Sequence, residues 1–371
     1  MAVADADDAK RVRLMLVGDD PDSLGGIATH LQLIRTHIAP WAPLSIYAVG
    51  PAGRAENALA RTARRVGEPF RFYLALRRRR PSIVHLNCSF DVKSLARDAV
   101  LASIASAMGI AVLLQIHSGL TREALARSRS CRLLTHLALR AAKRAVFLTQ
   151  LQLDPVAERF EAYSPKLMVV PNMAPSLTDG GKLVATPKAS PPGLLFLSRI
   201  LREKGIFDLL EAAQLLVQRG LAFELTIAGD GPDGALAREW AKSLDIAGMV
   251  RFVGYVSGAE KSRALYSATA LVLPTYYQHE GAPYSLLEAM QAGLPIVTCR
   301  TGGIAEILND ESAVFVPPRN PTALADALER VLVDAGLRRR LGAAAARQAR
   351  GRFGPDVIIE RWKQIYLQLV K

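Results

Sequence analysis

Two glutamates with seven residues between them, Glu280 and Glu288, stand in the run YYQHEGAPYSLLEAMQAGLPIVTCRTGGIAEIL, residues 276–308. Tyr284–Ala292 reads as a helix, so Glu288 lies among Leu286, Leu287, Ala289 and Met290, where a carboxylate is costly to bury without a partner. A ribose diol would offer it two hydroxyl donors. Glu280 falls on the loop that follows a strand ending at Leu273, so both carboxylates are placed to face one pocket at a strand's carboxyl end. Gly302-Gly303 comes after the strand at 295–298 and before a helix beginning near Ile304. Adjacent glycines let the backbone approach a ligand closely, and amides at the positive end of a helix suit a phosphate. Arg199 follows the strand GLLFLS (193–198), and Lys204 precedes the helix Gly205–Arg219. A planar fork and a mobile point charge thus point to the same end of that sheet. Singly, each cation also reads as solvated surface charge and Glu280 as a loop acid; the case rests on their convergence.

Other candidate chemistry is thinner. Gly229-Asp230-Gly231-Pro232 is a strand-to-helix turn of a kind many α/β proteins need for steric reasons, and neither GxGxxG nor GxxxxGK[ST] occurs in the right context. Cys88, Cys131 and Cys299 are far apart, and no His/Cys/Asp cluster has metal spacing, so no metal and no disulfide framework are expected. The D-x-D of the first ten residues sits in a loose terminus. His85 lies inside a strand, while His30, His37 and His136 are helical.

The elements that must position these groups alternate. Strand-like runs at 11–18, 82–87, 111–117, 145–149 and 166–170 are separated by helical stretches, among them Ile27–Ile38, 92–107 and 131–143. Continuous apolar strands between helices imply a parallel sheet covered on both faces. Residues 171–192, rich in Pro, Gly, Ser and Thr, read as a linker. The alternation then resumes, with strands at 193–198, 223–229, 250–253, 269–273, 295–298 and 313–316. The expected organisation is an α/β fold of two doubly wound, Rossmann-like domains facing across a cleft. A first domain covers 1–175, a linker 176–192, and a second domain 193–350. A terminal helix at 351–371, with Trp362 and Tyr366 on one face, is set to pack back on the first domain.

A chain of 371 residues, half of them hydrophobic and 22% charged, is globular and long enough for those two domains. It has no run of eighteen apolar residues, and its N-terminus reads as neither a signal peptide nor a lipidation site, which points to the cytoplasm. Its excess positive charge is lopsided. Through Lys188, 26 Lys and Arg face 15 Asp and Glu, against 21 and 19 afterwards.

The combination of Arg199, Lys204, the Glu280/Glu288 pair and the Gly302-Gly303 turn resembles the retaining glycosyltransferases of family four, which have the two-domain GT-B fold. The likeness is strong over 193–308 and looser over 1–170. It implies a retaining transfer of a sugar from a nucleoside diphosphate, UDP or GDP, to a hydroxyl of a glycan, lipid-linked or small-molecule acceptor. No permanently bound cofactor and no metal are implied. Arg199 and Lys204 would neutralise the diphosphate, Glu288 would bind the ribose, and Glu280 would lie near the transferred sugar. The amides around Gly303 and Ile304 would meet phosphate or sugar hydroxyls. Gly25-Gly26, after the first strand, looks like the family's N-terminal glycine loop. His117, at the end of AVLLQIH and before Ser118-Gly119, resembles the family's active-site histidine. The pattern departs from the family after Glu280-Gly281, where Ala282-Pro283-Tyr284 stands in place of the usual Phe-Gly, so the donor sugar is not specified. A glycogen- or sucrose-type synthase is the alternative within enzymes. A non-catalytic nucleotide- or carbohydrate-binding module is the alternative outside them.

The basic segment ARTARRVGEPFRFYLALRRRRP, residues 60–81, interleaves Phe70, Phe72, Tyr73 and Leu76 with Arg71 and Arg77–Arg80. Such a patch can lie on an anionic membrane surface and admit a lipid-linked acceptor. An acidic polysaccharide, a protein partner or a solvated helix end are the competing readings. No nucleic-acid motif accompanies the charge, and nucleic acid is not expected as a partner.

Overall fold

Each continuous apolar run becomes a parallel strand because helices bury both of its faces. The computed structural model describes residues 11–23, 25–50, 57–89, 91–118, 122–179, 182–183 and 191–371. It divides into two compact units, Met1–Met173 with Pro355–Lys371, and Ala174–Gly354.

The first unit holds β1 (Leu14–Gly18), β2 (Leu44–Ala48), β3 (Ile83–Ser89), β4 (Ala111–Ser118), β5 (Arg144–Phe147) and β6 (Leu167–Val169). They pair in the order β2-β1-β3-β4-β5-β6, parallel throughout. Its helices include α1 (Gly26–Ile38), α2 (Ala58–Arg79), α3 (Val92–Ala107), α4 (Arg122–Arg127), α5 (Arg129–Ala141) and α6 (Gln150–Arg159). β1 shows why such strands are apolar at every position. Met15 and Val17 join the core on one face of the sheet, and Leu14 and Leu16 the core on the other. β2, LSIYA, is the edge strand, only partly buried, and the hydrophobic pattern did not announce it.

The second unit repeats the plan. A two-residue antiparallel pair, β7 (Thr178–Asp179) with β8 (Lys182–Leu183), precedes β9 (Gly193–Leu197), β10 (Glu224–Ala228), β11 (Val250–Gly254), β12 (Ala270–Leu273), β13 (Ile296–Thr298) and β14 (Ala313–Phe315). The parallel sheet runs β11-β10-β9-β12-β13-β14. Its helices are α7 (Ile206–Gln218), α8 (Gly234–Ser243), α9 (Gly258–Ser267), α10 (Tyr284–Gln291), α11 (Ile304–Ile307), α12 (Pro321–Val333) and α13 (Ala335–Phe353). The unit boundary falls at Met173/Ala174, inside the Pro- and Gly-rich stretch 171–192 and just before the linker placed at 176–192, of which residues 180, 181 and 184–190 lie outside the described residues. So do the D-x-D of the terminus and Gly119.

The chain then returns to the first unit. α14 (Pro355–Val370) starts with proline at its first turn, where the missing N–H costs nothing. Ile358, Ile359, Trp362, Ile365, Tyr366 and Leu369 form its buried stripe and complete the core that contains Leu14, Leu31 and Ile83. No described helix is long and apolar enough to cross a membrane.

Candidate functional site

In the second unit the strand order reverses between β9 and β12, and open α/β sheets bind ligands at the carboxyl edge of such a switch point. Arg199 and Lys204 follow β9, and Thr275 and Glu280 follow β12. Backbone close to the sheet locks the two segments together. Tyr276 N donates to the Glu203 carbonyl at 2.9 Å, and Thr275 Oγ1 lies 3.2 Å from the same oxygen. This approach needs Gly205, whose φ is +78° and whose hypothetical Cβ would sit 2.3 Å from the Pro274 carbonyl oxygen.

The clamp sets Lys204 against Glu280. The ammonium pairs with Glu280 Oε1, which also accepts from Thr275 Oγ1 at 3.0 Å, and lies 4.9 Å from the centroid of the Tyr277 ring. Glu280 is buried, and the Lys204 side chain nearly so. The guanidinium of Arg199 is exposed, is near enough to Tyr277 to oppose the rise of its phenol pKa, and has no hydrogen-bond partner among the described residues. The chemistry of this corner is therefore one neutralised carboxylate, one shared ammonium and one unspent guanidinium.

The glycine turn does something other than expected. Gly303 N donates to the Glu280 carbonyl at 2.8 Å, and Ile304 N to the Thr301 carbonyl at 3.2 Å, so those amides are spent within the protein. Gly302, at φ +55°, is required because a Cβ there would lie 2.5 Å from the Glu280 carbonyl oxygen. The turn grips the Glu280 backbone. The turn's remaining donor is the Gly302 N–H, which has no partner among the described residues.

Glu288 sits on α10 and is 2% exposed. Its partner is one that sequence reasoning missed: Lys261 of α9, whose Nζ lies 2.5 Å from Oε1. Burial pushes the Glu288 carboxyl up from its ordinary value, and Lys261 opposes the shift. Tyr284, partly exposed at its surface, has its phenol pushed far up by desolvation and by the neighbouring Glu288. The two glutamates thus carry separate ammonium partners, Lys204 for one and Lys261 for the other.

The first unit places the remaining candidates together. Gly25, at φ +137°, caps α1, and Gly26 opens it. That helix delivers His30, whose ring lies 4.8 Å from the His117 ring at the end of β4. His117 Nε2 is 2.9 Å from Asn87 Oδ1. Asn87 Nδ2 donates to the Val17 carbonyl at 3.2 Å, which turns Oδ1 toward the histidine and assigns the proton to His117 Nε2. Nδ1 is left as an acceptor. Burial, with His30 and His85 close by, holds the His117 pKa well below the usual imidazole range, so the ring is neutral at pH 7.

His85 is the hinge between this cluster and α14. Its Nδ1 lies 2.9 Å from Tyr366 Oη, its Nε2 lies 2.9 Å from Gln115 Oε1, and Trp362 packs over the ring at 5.0 Å. Burial depresses both His30 and His85 to about 3.

The basic segment differs from its sequence reading at two residues. Phe72 and Leu76 are core side chains, 0% and 1% exposed. Leu59, Val66, Phe70 and Leu74 form the exposed apolar face of α2 instead. Among the described residues no group of three or more His, Cys, Asp or Glu is placed to hold a metal ion.

Residues 185–348 match the family model of the glycosyl transferases group 1. The glycogen synthase of Mycobacterium tuberculosis is 33% identical over 184 residues, which cover 49% of this chain and 44% of the relative, so the chain spans less than half of that relative's length. Over its whole length the chain is similar to sucrose-phosphate synthase from Thermosynechococcus elongatus, with a TM-score of 0.74, 19% identity and coverage of 96% and 99% of the two chains. The Anabaena protein HepE, solved in complex with UDP, gives a TM-score of 0.72 at 15% identity, covering 95% of this chain and 99% of that one. The expected likeness to glycosyltransferases holds over 185–348, and the fold is the GT-B fold.

Proposed function

We propose that this chain is a retaining glycosyltransferase that takes its sugar from a nucleoside diphosphate. The observation that carries the reading is the Lys204–Glu280–Thr275 cluster with Arg199 at the switch point of the second sheet. The match of residues 185–348 to a transferase family supports it. The UDP in the complex of the structurally similar HepE favours a uridine donor.

In this reading Glu288 accepts from the ribose hydroxyls and Glu280 orients the transferred sugar. As the bond between the anomeric carbon and the diphosphate oxygen breaks, negative charge grows on the β-phosphate. Arg199 and Lys204 are the cations that meet it. A missing donor of this kind costs about 3 kcal/mol, a hundredfold in rate. The acceptor hydroxyl attacks the same face of the sugar, and its proton passes to the departing phosphate oxygen. Glu280 is tied to Lys204 and Thr275, which suits positioning rather than nucleophilic attack. His117, neutral and with Nδ1 open, accepts from a sugar hydroxyl; it does not act as a cationic acid.

The acceptor belongs to glycan or glycolipid synthesis in the cytoplasm. α2 brings it to an anionic inner membrane surface, where the exposed Val66, Phe70 and Leu74 dip into the headgroups beside Arg71, Arg77 and Arg78. A glycogen- or sucrose-type synthase is the second reading, favoured by the matched relatives. Calorimetry with UDP-, GDP- and ADP-sugars tests the donor. A folded protein that binds none of them tighter than about 1 mM would end the transferase reading.

A further inference from the structure

A cavity of about 630 Å³ opens in the first unit between α2 and α3, beside the loops that leave β1 and β2. Its ionic lining is Arg64, Arg65, Lys93 and Arg97 against Asp19 and Glu68. One of the two acids has close protein partners. Glu68 accepts from Tyr47 Oη at 2.7 Å and pairs with Arg71 at 3.0 Å. Burial pushes the Asp19 carboxyl up, with Arg97 opposing the shift.

Arg97 is the fixed point of this wall. Asp98, 1% exposed, accepts from its Nε at 2.7 Å and its Nη2 at 3.1 Å. Cys88 is buried behind it, close enough to the same carboxylate for the two groups to influence each other's titration. The guanidinium is therefore held in one orientation, while its Nη1 has no hydrogen-bond partner among the described residues. A pinned arginine with unspent donors loses little freedom on meeting an anion, and its planar fork matches carboxylate or phosphate oxygens. Arg65 and Lys93 are exposed and have no ion pair among the described residues. Pro69 and Val100 supply an apolar wall of the kind a sugar ring's C–H face can rest on.

We propose that this cavity binds the anionic group of a carbohydrate acceptor, a uronate carboxylate or a sugar phosphate, through Arg97, Arg65 and Lys93. That the ligand is an acceptor rests on the transferase reading; the anion site itself stands on the cavity and its pinned arginine.

The test is calorimetry of the full chain with glucuronate, with glucose 6-phosphate, with neutral glucose, and separately with UDP. At least one anionic sugar binds, glucose binds at least about tenfold more weakly, and the two anions tell carboxylate from phosphate. Arg65→Gln with Lys93→Gln, both at exposed positions, weakens the anionic sugar about tenfold and leaves UDP affinity unchanged. Arg97→Gln abolishes binding, but it also leaves Asp98 buried without its partner, so the double variant decides where that protein does not fold. Absence of binding by both anions at about 10 mM, equal binding of glucose, wild-type affinity in the double variant, or displacement of the sugar by UDP would each overturn the proposal. Anionic sugar binding without any UDP binding would keep the anion site and remove the transferase reading.

Discussion

Acidification should unfold the first unit far above the pH at which its carboxylates protonate. His30 and His85 titrate at about 3 in the fold, and His117 well below the ordinary 6.5, because burial disfavours the imidazolium in all three. A histidine whose folded pKa is depressed costs nothing while both states are neutral. Below about 6.5 the unfolded chain takes up protons that the folded chain refuses, and stability falls as pH falls. Each group contributes a slope approaching about 1.4 kcal/mol per pH unit, so three give about 4. Between pH 7 and 5.5 the loss is about 4 kcal/mol, a large part of the 5–15 typical of a domain. Asp98 and Glu288, whose carboxyls are raised by burial, work the other way at lower pH, Glu288 in the second unit only. The assay is urea unfolding from pH 7.5 to 5, following the first-unit transition. His30→Leu should remove about a third of the slope. A slope below about 1.4 kcal/mol per unit in the wild-type protein would show that the cluster is not neutral and buried together as described.

Four further outcomes follow from particular contacts. Glu288→Ala removes the proposed ribose acceptor and should weaken UDP about tenfold by calorimetry, with little change in the first unit's melting. His117→Ala should leave UDP affinity unchanged and lower kcat, since the nucleotide is proposed to bind the second unit and His117 belongs to the first; equal loss of UDP affinity in both variants would refute that division. Gly302→Ala forces a Cβ to 2.5 Å from the Glu280 carbonyl oxygen at φ +55° and should cost about 1–3 kcal/mol of second-unit stability in thermal melts. Val66→Ser with Phe70→Ser should abolish co-sedimentation with anionic vesicles while leaving the fold intact, whereas Phe72→Ser should destabilise the first unit by several kcal/mol; partitioning that survives the first pair would remove the membrane role of α2.

What the sequence made legible was whatever the two faces of a parallel strand dictate. LMLVG and GLLFL are apolar at consecutive positions because successive side chains enter different cores, and such runs cannot be anything peripheral. β2 escaped notice because an edge strand buries less, and no residue of LSIYA is fully buried. Phe72 and Leu76 were read as surface because aromatic and basic residues alternate there. A helix turns 100° per residue, so Phe70 and Phe72 point about 160° apart, and Val66, Phe70 and Leu74 share a face that Phe72 and Leu76 do not. The candidate site divides similarly. Glu280, Lys204 and Gly302 lie at strand ends, where a reading by position succeeds. Lys261 lies 27 residues before Glu288 on another helix, with no motif around it, and only the fold, which brings its Nζ to Glu288 Oε1, makes it a partner. Asn87 and His30 are likewise ordinary letters in their own elements; they matter because β3 and α1 both border His117.

The return of α14 to the first unit fixes an order of events during synthesis. Residues Ala174–Gly354 can complete their own core as soon as they leave the ribosome, at 5–20 residues per second within roughly 10–40 s. The first unit, although made earlier, must wait for Trp362, Tyr366 and their neighbours to arrive before His85 gains its hydroxyl partner and the face carrying Leu14, Leu31 and Ile83 is covered. Throughout that interval an apolar sheet face stands open to chaperones, to proteases and to other nascent chains. A ribosome that stalls within the final helix would release a folded second unit tethered to an uncovered first one.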